Sequence, residues 1–313
     1  MKELLHETLG YRRIAADARA GRQPHAVLIL FPDAAHLRAL LKECAKAFFS
    51  AEEGSRTALL IEKESYSDCL FFPQEGAKLT VDDAARILEE SLLRPVEGEK
   101  KLFVLDAFHM AGALVQNKLL KVLEEPPEGV SFLLGAAQEH AVLPTVLSRT
   151  EKFREPPFAE ESILKALYRM YPAEQGLERA AAASGGILSQ AERLLAGGGE
   201  SFRLAEEFLL SDAPEAFCRR ADKLDKDAFF AALELLLRDM LLLKTGQERF
   251  ASRTDERARA LAERYPTGVI LSALEGVRKA QRRVNFNAGL GQTLYALALS
   301  MKEEEKRWQK LSS

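Results

Sequence analysis

Short apolar runs punctuate the first half of the chain, at Ala26 to Phe31, Cys69 to Phe72, Leu102 to Leu105 and Val130 to Leu134. Between them lie longer stretches whose apolar positions repeat every three or four residues. Runs of the first kind read as strands buried on both faces and the second as crossover helices, so the alternation predicts a mostly parallel sheet in an α/β domain over residues 1 to about 157. The clearest helix falls between the third and fourth runs, with Val115, Leu119, Val122 and Leu123 on one face and Pro126-Pro127 preventing its continuation. Two carboxylates, Glu124 and Glu125, sit at the end of that helix where the macrodipole disfavours negative charge. Either an external partner compensates them or they stand at a solvated helix end.

After "REPPF", where Pro156-Pro157 blocks helix formation, the pattern becomes wholly helical. Residues 158–199 read as a small bundle of two or three helices. Gly197, Gly198 and Gly199 then read as a flexible joint, because three successive residues without a β-carbon favour no single backbone conformation. Residues 200–313 form a second helical domain. Its segments "FFAALELLLRDMLLLK" and "GLGQTLYALALSMK" are apolar over much of their circumference, which predicts burial inside a bundle or between subunits.

A length of 313 residues suits two or three domains. With 44 basic and 47 acidic residues the formal charge is −3, so no chain-wide field draws the protein to nucleic acid or to an anionic membrane, and any DNA contact is local or shared. The first 23 residues carry charges throughout and read as an amphipathic helix instead of a secretion signal, and no stretch is long and apolar enough to span a bilayer. Cys44, Cys69 and Cys218 are widely separated, form no paired motif, and suit a reducing cytoplasm.

The segments "GRQPHAVLILF", "LFVLDAFHM", "NKLLKVLEEPPEGVSFLL" and "LPTVLSRT" occur in the order found in bacterial clamp-loader subunits, and the chain resembles the delta-prime type of that family. The likeness is dense over the first domain and looser beyond it, where "GGILSQAERLL" resembles the last helix of a lid and "VNFNAGLGQTLYALAL" the final helices of a collar. It implies an AAA+ type fold followed by a helical lid and a helical collar through which five subunits assemble.

An ATP site in such a fold makes chemical demands that can be checked position by position. A phosphate loop needs glycines so that backbone N–H groups can close around the phosphates, a lysine to neutralise them, and a hydroxyl for magnesium. The corresponding stretch here is "FPDAAHLR". Phe31 stands for the first glycine, Leu37, preceded by His36, falls at the lysine position, and Arg38 replaces the hydroxyl. Asp106 ends the third strand where a magnesium-orienting carboxylate belongs, but Ala107 follows it in place of the glutamate that would activate water. The polar residue that would sense the γ-phosphate is replaced by Ala136 or Ala137, and the lid arginine by Gln190. Asp106 alone makes a poor magnesium site. No nucleotide, metal or other cofactor is expected.

Arg149, in "LSRT", falls where relatives project an arginine onto a neighbouring subunit's ATP. A planar, permanently charged guanidinium suits that role, and arginine fingers in GTPases contribute roughly 10³ to 10⁵ in rate. Ser148 is expected to cap the local turn or to position the arginine, and Thr150 replaces the cysteine common in the family. A salt bridge or helix cap is the alternative role for Arg149.

Many delta-prime proteins carry a four-cysteine zinc module before the second strand. Here Cys69 is the only thiol in that region, and His25, His36, His109 and His140 match no ligand spacing, so zinc is not expected. Arg278, Lys279, Arg282 and Arg283 cluster in the collar, with Lys279 and Arg283 on one helical face. They read as a solvated face or as phosphate contacts.

The function implied is that of a non-catalytic subunit with no ATPase of its own, monomeric when isolated and cytoplasmic. Its implied partners are the tau/gamma motor subunits, the delta subunit, the sliding clamp and primer-template DNA, with no membrane. An autonomous hydrolase with an unusual site and an interaction scaffold outside replication are the rival readings.

Overall fold

The computed structural model describes residues 1–22, 24–196, 199–211 and 213–312. The expected joint at Gly197–Gly199 therefore falls mostly outside the described residues; Gly199 itself precedes a helix in the left-handed region. The chain divides into two compact units, Met1–Pro157 and Phe158–Ser313.

The first unit is the expected α/β domain. Five parallel strands, β1 (Ala26–Leu30), β2 (Cys69–Phe72), β3 (Lys101–Leu105), β4 (Val130–Ala136) and β5 (Glu151–Arg154), lie in the order β2-β3-β4-β1-β5. Its helices are α1 (Lys2–Leu5), α2 (Leu9–Arg19), α3 (Leu37–Phe48), α4 (Arg56–Glu62), α5 (Val81–Ser91), α6 (Ala113–Glu124) and α7 (Pro144–Leu147). Strands β1, β3 and β4 are buried along their whole length, as their largely apolar runs require, with Lys101 and Ser131 the buried polar members of β3 and β4. Helices α5 and α6 cover one face, where Phe103 and Phe132, paired across β3 and β4, stack at 5.2 Å between ring centroids. Val115, Leu119, Val122 and Leu123 of α6 are buried as their spacing predicts.

Helix α3 also packs against β4 and β3. Gly135 permits the close approach of α3 to β4, because a β-carbon there would lie 2.7 Å from Leu41 Cδ1. A capping box between Thr80 and Asp83 opens α5, and Ser55 accepts from the Ala58 N–H at the start of α4. The connection from α5 to β3 is pinned by the fully buried Asp68, whose carboxylate accepts from the N–H groups of Val96 at 2.6 Å and Glu97 at 2.8 Å.

Two features of this unit depart from the sequence reading. The strand β5 has charged residues at three of its four positions, "EKFR", and only Phe153 resembles a sheet residue. It pairs only with β1 at the sheet edge, where solvated side chains are tolerated and disguise the strand. The amino-terminal helix is likewise two helices, α1 and α2, broken at Thr8. The new N-terminus at α2 is met by Glu155, 4% exposed, whose carboxylate accepts from Leu9 N and Gly10 N, both at 2.7 Å. Gly10 favours this close approach: an added β-carbon would sit 2.9 Å from Ile29 Cδ1 and 3.1 Å from Glu155 Oε1, so those side chains would have to shift.

The second unit has only helices among its described residues: α8 (Glu160–Met170), α9 (Leu177–Ala183), α10 (Leu188–Ala196), α11 (Glu200–Leu210), α12 (Pro214–Arg220), α13 (Lys226–Lys244), α14 (Glu256–Arg264), α15 (Thr267–Asn285) and α16 (Leu290–Ser312). The apolar run beginning at Phe229 is the axis of the unit. Helix α13, N-capped by Asp225, buries Phe229, Phe230, Leu233, Leu236, Leu237 and Met240, and it packs on α9, α10, α11, α14 and α15. Buried Asp239 on the same helix accepts from Ser252 N at 3.0 Å, so its carboxylate is satisfied inside the bundle. No helix among the described residues is long and apolar enough to cross a membrane.

Candidate functional site

The turn from β1 into α3 is where a nucleotide's phosphates would lie in this fold. Phe31 is fully buried there, and His36 takes the position preceding the first turn of α3 with its Nδ1 2.9 Å from Asp33 Oδ2. Two residues on, Arg38 turns inward and is nearly buried. Its Nε and Nη2 form a fork on Glu64, at 2.8 and 2.6 Å, while Nη1 donates to Asp106 Oδ2 at 3.0 Å and Nη2 also reaches the Pro73 carbonyl at 3.2 Å. Lys42, one turn along α3, adds a second cation 3.1 Å from Glu64. The side chains of Arg38, Asp106 and Glu64 are only 10%, 15% and 21% exposed.

Arg38 thus supplies a fixed internal cation beside the carboxylate that would orient magnesium. Burial pushes the Glu64 carboxyl up, but hydrogen bonds and attraction from Arg38 and Lys42 outweigh this and hold it below the usual range. Glu64 was not legible as part of the site. It lies 26 residues from Arg38, at the end of α4 in a left-handed conformation (φ 55°), and nothing in the local sequence marks it.

The remaining positions are each accounted for within their own unit. Asp106 Oδ1 accepts from the N–H of Ala107, whose own φ is 45°, so the position where a water-activating glutamate would stand carries a methyl group on a left-handed backbone. Ala136 ends β4 fully buried. Ala137 donates its N–H to His109 Nδ1 at 3.2 Å. Burial lowers the pKa of His109 and favours the neutral ring that such acceptance needs. In the second unit, Gln190 donates to the Asp227 carbonyl at 2.7 Å. Cys69 is buried in β2 with its thiol pKa pushed up by desolvation, and no group of three or more metal-ligating side chains occurs among the described residues. Arg278, Lys279, Arg282 and Arg283 lie on α15, where Arg278 pairs with Glu234 at 3.1 Å.

Arg149 follows α7 at the mouth of β5. Its Nε donates to Glu124 Oε2 at 2.8 Å, and its Nη1 donates to the Thr145 carbonyl at 3.0 Å and to Ser148 Oγ at 3.2 Å. Ser148 closes the C-terminal end of α7, and its hydroxyl, which also donates to Thr145 O, touches the arginine side chain directly. The carboxylate that looked misplaced at the end of α6 therefore has its partner within the same unit, while Glu125 remains exposed. Arg149 itself is 30% exposed.

A parallel β2-β3-β4-β1-β5 sheet with this cleft at the end of β1 defines an α/β domain of the AAA+ type. Residues 7–159 match the protein family described as "DNA polymerase III, delta subunit". The tau subunit of DNA polymerase III from Bacillus subtilis strain 168 is 26% identical over 242 residues, 66% of this chain and 43% of that protein. The gamma/tau subunit from Mycobacterium tuberculosis H37Rv is 36% identical over 73 residues, 23% of this chain and 13% of that protein. The chain thus spans less than half the length of either relative. A solved DNA polymerase III gamma subunit-related protein from Thermotoga maritima covers 93% of this chain and 99% of its own, with 18% identity and a TM-score of 0.47.

Proposed function

We propose that this chain is a non-catalytic clamp-loader subunit of the delta-prime type. In this reading it assembles with ATP-hydrolysing tau/gamma subunits and a delta subunit in the bacterial cytoplasm and helps place a sliding clamp on primer-template DNA. The observation that carries the reading is the occupation of the cleft by Arg38, tied to both Glu64 and Asp106. A guanidinium held by two carboxylates and a carbonyl takes the place of the hydroxyl and its magnesium ion, while Phe31 fills ground that a glycine would leave open to phosphate. The domain keeps the fold of a motor and lacks the groups that bind and cleave the nucleotide.

The single catalytic contribution in this reading is made in trans. Arg149, supported by Ser148, stabilises charge developing on the phosphates of ATP held by a neighbouring subunit. The chain itself requires no cofactor and no metal. Titration calorimetry of the isolated chain with Mg-ATP tests the first half: no saturable heat is expected at micromolar nucleotide, and a stoichiometric micromolar isotherm overturns the non-catalytic assignment.

A further inference from the structure

A finger that works on a neighbour's phosphate has to be held in one orientation before the phosphate arrives, because a long side chain otherwise spends most of its time elsewhere. Arg149 is held in this way although its side chain is 30% exposed. Two of its three nitrogens are bonded within its own unit, Nε to Glu124 and Nη1 to Thr145 O and Ser148 Oγ. These contacts come from two elements, the end of α6 and the turn of α7, and they fix the plane of the guanidinium. Nη2 carries none of these bonds.

Glu124 is the informative member. A carboxylate at the C-terminal end of a helix is disfavoured by the macrodipole, and an exposed ion pair offsets little of that cost. Its placement does little for the stability of α6, but among the described residues it supplies a charged acceptor for Arg149. It also takes Nε, on the edge that Nε shares with Nη2, so that a phosphate would be met by the tip of the guanidinium, through the outward N–H of Nη2.

Resting on the trans-acting role of Arg149, we infer that Glu124 is a positioning residue. It orients the finger, touches no substrate, and acts only through Arg149. Thr145 contributes by its carbonyl, which no side-chain substitution removes, and Ser148 by a neutral hydroxyl, so Glu124 is the charged member that mutation can interrogate.

The test uses the complete complex, reconstituted with its motor subunits, clamp and primed DNA, and compares wild type, Glu124→Ala, Glu124→Gln, Arg149→Ala and the double variant Glu124→Ala/Arg149→Ala at equal assembly. Glu124→Ala is expected to lower kcat for ATP hydrolysis by roughly two- to fivefold, the range an exposed charge pair can deliver, with KM for ATP unchanged. Glu124→Gln keeps an acceptor for Nε and is expected to recover part of the rate. In the Arg149→Ala background, Glu124→Ala is expected to do nothing further, since there is no finger left to orient. A normal or raised rate in Glu124→Ala overturns the inference, as does an equal additional loss in the Arg149→Ala background. If Arg149→Ala itself leaves the rate unchanged, the trans-acting role fails and the inference fails with it; if Arg149→Ala is slow while Glu124→Ala is normal, only the positioning role fails.

Discussion

Replacing Arg38 by methionine isolates the internal cation, since methionine keeps much of the aliphatic volume and removes every donor. The substitution deletes the fork on Glu64, the bond to Asp106 and the bond to Pro73 O, and it leaves two carboxylates close together at 21% and 15% exposure. Removing one partner of a fully buried pair costs about 3–5 kcal/mol, and an exposed pair contributes under about 1. At this intermediate burial the loss is about 2–4 kcal/mol at pH 7. The pH dependence gives a sharper signature. Glu64 has a folded-state pKa below its ordinary value of 4.5, so its contribution is complete above that value and disappears as pH falls through the lower folded value. In Arg38→Met the share of that contribution due to Arg38 is gone, Lys42 alone remains beside Glu64, and protonation relieves the two less neutralised carboxylates. The stability gap between wild type and variant should therefore narrow as pH falls from 5 toward 3. Urea denaturation across that range, followed by a probe in the first unit, measures both quantities. A loss below about 0.5 kcal/mol at pH 7, or a gap that does not change with pH, refutes the account of Arg38 as a structural cation.

Three further substitutions test other contacts of the first unit. Glu155→Ala leaves the N–H groups of Leu9 and Gly10 without their carboxylate and should destabilise the first unit by about 2–4 kcal/mol, with Gly10→Ala comparably harmful through its contact with Ile29; equilibrium denaturation checks both. Arg149→Lys should restore little of the ATPase lost in Arg149→Ala, because an ammonium cannot reproduce a planar donor set already bonded at Nε and Nη1, and steady-state rates of the assembled complex read this directly.

The four apolar strands and α6 were visible in the sequence because burial on both faces of a sheet, or along one stripe of a helix, leaves a periodic trace. β5 left none: its edge position lets Glu151, Lys152 and Arg154 face water, and Lys152 and Arg154 instead pair with Glu139. The break between α1 and α2 was hidden for another reason, since the group that satisfies the new helix end, Glu155, lies 145 residues from Gly10. At the site, the losses at Phe31, Arg38 and Ala107 could be read one position at a time against what phosphate and magnesium need. The gain could not. That Arg38 holds Glu64 and Asp106, and that Glu124 holds Arg149, are pairings across 26, 68 and 25 residues, and single-sequence patterns carry no record of such distances. The unfavourable placement of Glu124 on α6 was the one local sign that a charge needed a partner.

The central claim is that a domain unable to use ATP contributes an arginine to ATP hydrolysis elsewhere. Its most direct test is the DNA- and clamp-stimulated ATPase rate of the reconstituted complex carrying Arg149→Ala in this subunit alone, at wild-type assembly and with the motor subunits unaltered. The account predicts a fall of at least about tenfold, with this chain still binding no nucleotide. A rate equal to wild type would contradict it.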